Sequence, residues 1–404
     1  MDRIGKTIVR APQLVWNGPR DLELPFPEGW DVEVCNFSGH DRPAMNGDQI
    51  RAAVAAPVGM PPLREFARGR KEAVVIFDDI TRPLRAAKIV PYVLEELAEA
   101  GIPDQRIRFI AAVGTHGPMD RTAFAKKLGE AALARFPVYN HNAHDNCTYV
   151  GTTSRGTKLL VNAEVMCCDL KIAIGGVTPH TFTVFSGGGK MILPGVSSIE
   201  SIATNHVLPM GDYETNSRRL DMEEVAMLAG LDMVIECLFN RWGETTAIFA
   251  GAEIQAHESA VMEARAHYLC RKAENKDVVV ANMYAKAMEA RIGIRTSVSL
   301  AQKGGSLVLI ANAPEGQASH YLFGPWGRVN PGGRIKTVPT LPPNVDRLII
   351  YSEYPDIAGF GNLEPAEKVL HLSSWSDVIK TLQGVHGNNA SVAVYPNSDT
   401  QYFG

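Results

Sequence analysis

Cysteine is scarce in this chain of 404 residues, and its sparseness excludes a whole class of folds. The six thiols, Cys35, Cys147, Cys167, Cys168, Cys237 and Cys270, include no C-x-x-C pair. They are too few for a disulfide scaffold and read as reduced, mostly buried side chains. Long apolar runs are lacking too: no uninterrupted stretch would span a bilayer. The opening Met-Asp-Arg-Ile-Gly-Lys has no apolar core of a signal peptide. Nor does one sign of charge dominate. With a net charge of -4 there is no global footprint for nucleic acid or an anionic membrane, although local basic pockets stay open. Repeats and low-complexity tracts are missing as well. A reducing cytoplasm is the expected location, with neither nucleic acid nor membrane as partner.

What is present is an ordinary globular composition, 45% hydrophobic and 21% charged, on a chain long enough for two cores. From residue 72 a rhythm sets in. Val74–Phe77 is a short apolar run of buried-strand type, followed by a polar turn and a helical stretch over about 85–100 that stops at Gly101. Ile107–Val113 is a second strand, and Asp120 is placed to cap the next helix. Leu170–Ile174 is another strand. Strand, turn and helix at this spacing predict an α/β fold with crossover helices. Further strands are expected at Val278–Val280, Leu307–Ile310, Leu348–Ile350 and Val392–Val394, with a charged helix over 253–274 linking two lobes. The expected architecture is two lobes, each a mainly parallel sheet flanked by helices, with the active site between them. Residues 1–265 would form the cofactor-binding and catalytic domain and residues 275–404 a C-terminal domain closing over it. The polar turns at 78–83, 114–118 and 177–190 all follow strands, so they are expected to converge.

Three of these turns carry chemistry-bearing residues. Gly187-Gly188-Gly189-Lys190 would let backbone amides approach an anion, and its lysine can contact phosphate or act as an amine nucleophile. It is not an ATP-binding P-loop, because that motif needs glycine where Val184 stands and Ser or Thr where Met191 stands. The plain alternative is a glycine hinge with a solvated lysine. Asp78-Asp79-Ile80-Thr81-Arg82-Pro83 suits carboxylate or phosphate recognition by a guanidinium fork, or else is a self-capped turn. Gly114-Thr115-His116 offers an acid/base imidazole or a surface turn histidine. The cluster from Asn140 to Cys147 matches no standard zinc spacing and reads as a polar loop.

Taken together, these segments resemble the lactate racemase family that uses the nickel-pincer nucleotide. The family's D-D-x-T-R-P stands at Asp78–Pro83, its G-x-H at Gly114–His116, and its P-H-x-x-x-x-F-[ST]-G-G-x-K-x-I-L-P-G at Pro179–Gly195. A later histidine falls at His206, and Ala250–His257 is also similar. The resemblance covers the chain to about residue 260 and the rest more weakly. It implies an isomerase that racemises or epimerises a 2-hydroxy acid through a 2-oxo acid intermediate. It also implies pyridinium-3,5-bisthiocarboxylic acid mononucleotide joined covalently to Lys190, with nickel held by His206. His116 and His180 would be the acid/base pair. Asp79, Thr81, Gly187, Gly188, Gly189 and Pro194 would seat the cofactor, the glycine amides at its phosphate. Arg82 would orient the substrate carboxylate. The enzymes that make the cofactor are implied partners.

Two departures bear on the substrate. Gly117 follows the G-x-H where the family often has Arg, and the second-lobe Gln and Lys that hold lactate are not found. Arg291 and Arg295 are the candidates to replace that pair, with Trp326 as an aromatic wall. Other readings of the same residues are a metal-dependent hydrolase or lyase, or a non-catalytic nucleotide or hydroxy-acid binding protein.

Overall fold

A computed structural model of the protein describes residues 7–301, 303–322, 340–360 and 363–404. Two six-stranded sheets organise it. In the first, strands Ala73–Asp78, Ile107–Ala112 and Val138–Asn140 run outward in one direction. Leu170–Gly176 then returns to the other side of Ala73–Asp78, followed by Met233–Phe239 and Thr245–Gly251. All pairings are parallel except the last, a hairpin. The strand order therefore reverses between Ala73–Asp78 and Leu170–Gly176, which is where a doubly wound sheet collects ligands.

The central strands are wholly buried, as expected for a parallel sheet covered on both faces. Strand periodicity splits the side chains between two cores. Val75, Phe77 and Phe109 pack with Val93 and Leu97 of helix Val90–Glu99. Val74, Ile76 and Ile110 pack with Val225 and Ala226 of helix Ser217–Ala229. The stretch expected to be helical over 85–100 is divided, with a short 3-10 turn at Ala86–Lys88 preceding the helix. Asp120 does cap helix Arg121–Leu128, accepting from the Ala123 amide at 2.7 Å.

The second sheet is entirely parallel. It runs Val369–Leu372, Val345–Tyr351, Gly305–Ile310, Val278–Asn282, Ser391–Tyr395 and Asp31–Val34. Burying each of Val278, Val279 and Val280 contributes roughly 1.5–3 kcal/mol. The expected division of the chain needs one correction, because its first strands belong to this lobe. Asp31–Val34 forms the sheet edge, and hairpin Thr7–Gln13/Arg20–Phe26 buries Val9, Ala11, Leu24 and Phe26 against Val280, Val308 and Trp375. Helix Trp375–His386 turns Trp375, Val378, Ile379 and Leu382 into that core, and the Trp375 indole donates to Pro25 O at 2.9 Å.

Helix Glu253–His267 links the lobes as expected. Its Ala260, Val261 and Ala264 pack in the second-lobe core, while Ala256 packs in the first. The segment between Val278–Asn282 and Gly305–Ile310 is a kinked 3-10 stretch, Ala287–Ser299, rather than a regular helix. Among the described residues, no helix is long and apolar enough to cross a membrane.

Candidate functional site

The two sheets bring their strand-order reversals to a common cleft. In the first lobe, the turn after Ala73–Asp78 uses its adjacent acids differently. Asp78 turns inward: it lies 2.5 Å from the buried amine of Lys127 and accepts from the Gly176 amide at 3.2 Å. Lys127 also donates to Arg82 O at 3.2 Å. This buried pair ties helix Arg121–Leu128 and both central strands together. Asp79 turns towards the cleft, accepting from the Thr81 amide at 2.8 Å and meeting His116 Nδ1 at 2.6 Å. Burial alone would raise the Asp79 carboxyl, but the charge of His116 and its hydrogen bond prevail and hold it at about 2.

His116 faces a second carboxylate. Its Nε2 lies 3.5 Å from Glu289 Oε1, and the other Glu289 oxygen pairs with Arg82. Burial would lower His116, yet Asp79 and then Glu289 raise it to about 10, so its ring is an imidazolium at neutral pH. Glu289 is held well below its usual range against the pull of burial, chiefly by Arg82 and His116.

His180 has the opposite environment. Burial, then the charges of Lys190, Lys286 and Arg82, push it well below 6.5 and leave it neutral. Two histidines in one cleft thus stand in opposite protonation states, the arrangement of an acid beside a base. Lys190 is itself lowered to about 7, by burial and then by Arg82. Among the described residues its amine makes no ion pair. Lys286, from the reversal point of the second sheet, is lowered to about 7 by burial and the charges of Arg82 and Arg295. It crosses the cleft to donate to Pro179 O at 3.1 Å, while its own amide donates to Asp399 at 2.6 Å.

His206 closes helix Ile199–Asn205 and stands edge-on to Phe182 at 5.7 Å, and Phe182 stands edge-on to His180 at 5.8 Å. From the second lobe, His320 packs edge-on against His116 at 5.0 Å. Its segment bridges to the His116 turn, with Tyr321 N donating to Thr115 O at 2.7 Å and Gly117 N to Ser319 O at 3.0 Å. The three polar turns converge as expected, since the Gly114 amide also donates to Gly195 O at 2.9 Å. Pro194 packs here: a Cβ on Gly114 would lie 3.3 Å from it, so Pro194 joins the lysine loop to the histidine turn.

The glycine loop needs a different explanation from the one its sequence suggested. The Gly188 amide donates to Glu236, whose other oxygen meets His257 Nδ1 at 2.8 Å. A Cβ on Gly187 would sit 2.2 Å from Glu236, one on Gly188 2.9 Å from Glu253, and one on Gly189 2.2 Å from Met222 O. Burial raises Glu253 to about 7. The glycines are small so that the loop can press onto carboxylates and a helix backbone, and the Gly188 amide is not free to seat a phosphate. Gly189→Ala is accordingly expected to destabilise the protein by about 1–3 kcal/mol, because helix backbone must move. A lowered midpoint in urea unfolding checks this.

The second-lobe arginines separate. Arg291 donates to Gly359 O at 2.9 Å, in the Ile357–Phe360 helix. Arg295 donates to Ser398 O at 2.8 Å and Gln401 O at 2.9 Å. It lines a cavity of about 370 Å³ together with His180, Asn216 and Tyr402. Trp326 lies outside the described residues. Sequence reasoning passed over Lys286, Glu289, His320 and Lys127. Nothing in a single chain pairs them with partners that lie from 49 positions away, for Lys127 and Asp78, to 207, for Glu289 and Arg82. The polar loop from Asn140 is anchored to its neighbours, with His141 bonded to Ser197 O at 2.8 Å and to Asn162 at 3.2 Å.

Fold and site together define a two-lobed, doubly wound α/β protein with a charged small-molecule cleft at its strand-order reversals. Residues 18–217 match the lactate racemase N-terminal domain. The lactate racemases of Thermoanaerobacterium thermosaccharolyticum and Lactiplantibacillus plantarum are each 26% identical to this chain over 291 residues, covering 68% of this chain and 68% of each relative. Over these stretches the chain is similar to the lactate racemases. The lactate racemase apoprotein of T. thermosaccharolyticum has the same fold, with a TM-score of 0.75 at 19% identity over 98% of this chain and 100% of that one. A crystal structure of a protein from Thermotoga maritima gives 0.66 at 18% identity, over 89% and 98%.

Proposed function

We propose that this protein interconverts the two configurations at C2 of a 2-hydroxy acid, using a nickel-pincer nucleotide joined to Lys190. The observation that carries this reading is the opposed protonation of His116 and His180 in one cleft with a lysine amine. The residues fit such a group. An amine lowered to about 7 is partly neutral at physiological pH, as covalent attachment requires. His206, two aromatic contacts from His180, supplies an imidazole of the kind nickel accepts. When bound, the cofactor supplies a reversible acceptor for the C2 hydrogen as hydride.

The chain's own residues handle the substrate and its protons. Arg82 and Lys286 attract the carboxylate. His180, neutral, takes the hydroxyl proton as C2 is oxidised to the 2-oxo acid. After the carbonyl turns its other face, His116 as imidazolium returns a proton to the oxygen. Asp79 holds the His116 ring and is fixed in turn by Thr81. The histidines end in exchanged protonation states, which suits the reverse reaction from the opposite enantiomer.

The test is intact-mass and nickel analysis after co-expression with the enzymes that make the cofactor. A mass increment mapped to Lys190, with nickel at about one per chain as a single-imidazole site implies, is expected, and Lys190→Ala should remain unmodified. An unmodified wild-type chain beside a correctly loaded control would refute the assignment. It would bring forward the simple-metal hydrolase and binding-protein readings.

A further inference from the structure

We propose that Glu289 selects the substrate: the site takes a 2-hydroxy acid carrying further hydroxyl groups, of the aldonic acid class, and rejects a second carboxylate. This inference rests on the C2-inversion reading above. It starts from a carboxylate built into the cleft wall. Glu289 spans Arg82 and the Nε2 side of His116, and its side chain is mostly buried. It is held there by its backbone. The Ala290 amide donates to Gln317 Oε1 at 2.9 Å, and Gln317 Nε2 donates to Ala287 O at 3.0 Å. The Gln317 amide is in turn fixed by Asp356 at 2.7 Å. The Glu289 backbone departs from helical geometry, with φ -125° and ψ 41°, at the kink of Ala287–Ser299.

The charges facing the cleft then define what fits. Arg82, Lys286 and His116 are the cations around Glu289, Arg295 lines the adjoining cavity beside His180 with its guanidinium bonded to Ser398 O and Gln401 O, and Lys190 is consumed by attachment. Asp79 is occupied by His116 and Thr81, and Glu289 is the other anion. One substrate carboxylate complements Lys286 and Arg82. A second would meet Glu289 as a like charge. An alkyl group would desolvate Glu289 without offering it a hydrogen-bond donor. A cationic substituent would meet Arg82 and Lys286. A hydroxyl satisfies both sides, donating to Glu289 and accepting from a lysine or guanidinium.

The test compares wild type and Glu289→Gln, both loaded with cofactor, on lactate, malate, glycerate and a set of aldonic acids, reading kcat/KM for C2 inversion. Wild type is expected to favour an aldonic acid over lactate and malate by about 100-fold or more, because a site built to bond a hydroxyl discriminates strongly against its loss. Glu289→Gln is expected to lower the aldonic acid value about tenfold and raise that for malate about tenfold, as one like charge is removed. Changes of opposite sign are beyond a merely structural defect. A wild-type preference for lactate or malate, or an equal change on every acid, would overturn the proposal. Calorimetry on the unloaded chain separates the two failures. Aldonic acid binding without inversion by the loaded protein overturns the racemase reading alone, whereas tighter binding of malate overturns the role of Glu289.

Discussion

His180→Asn is expected to lower C2 inversion by about 10²–10⁴-fold, the usual contribution of a positioned acid or base. Cofactor loading at Lys190 should be unchanged, so intact mass separates a chemical defect from an attachment defect. The physical ground is the neutral state of His180. Burial disfavours its cation, and the charges of Lys190, Lys286 and Arg82 add to that. Attachment of the cofactor removes the Lys190 charge and leaves burial, Lys286 and Arg82 to maintain the effect. The pH profile follows from the signs. The base form of His180 is lost only as pH falls well below 6.5, and the acid form of His116 is lost as pH rises through about 10. At saturating substrate, whose carboxylate holds Lys286 charged, the rate is therefore expected to be flat across neutral pH, with an alkaline limb near 10. An acidic limb centred at an ordinary histidine value would show that His180 is solvated, and would remove it as the depressed base.

Lys127→Met is expected to cost about 3–5 kcal/mol of stability, because it leaves Asp78 as an uncompensated buried carboxylate. Both side chains lie under the turn that carries Asp79 and Arg82, and Lys127 also bonds the Arg82 carbonyl. The variant's Asp78 would take a raised pKa, above its unfolded value of about 3.9. Its penalty should then be full at neutral pH and shrink as pH falls towards that value. Asp78→Asn combined with Lys127→Met should recover most of the loss, since a neutral amide keeps the acceptor for the Gly176 amide without the charge. Urea unfolding midpoints across pH for the two variants check both statements. A single variant as stable as the double at neutral pH would show that the pair contributes little.

Much of this molecule was legible in one dimension. The apolar runs at Val74–Phe77, Ile107–Val113, Leu170–Ile174 and Val278–Val280 announce buried parallel strands, because a strand covered on both faces needs apolar side chains at every position. Asp120 announces its cap by position alone. Loops that follow such strands gather at one sheet edge, so the convergence of Asp79, His116 and Lys190 followed from chain order. The glycine loop could be read but not interpreted. Its three glycines are small because Glu236, Glu253 and Met222 lie against it, and those contacts come from residues far along the chain.

Local sequence determined where the strands and turns fall, which residues could carry protons and which lysine could bear a cofactor. These depend on periodicity and on chemistry intrinsic to each side chain. Tertiary structure alone decided that residues 7–34 complete the second lobe, that Asp78 serves a buried lysine while Asp79 serves a histidine, and that Glu289 and Lys286 enter the cleft. It also decided which histidine is charged. Protonation depends on burial and on the charges within a few ångströms, and a linear chain does not specify distances between its remote parts.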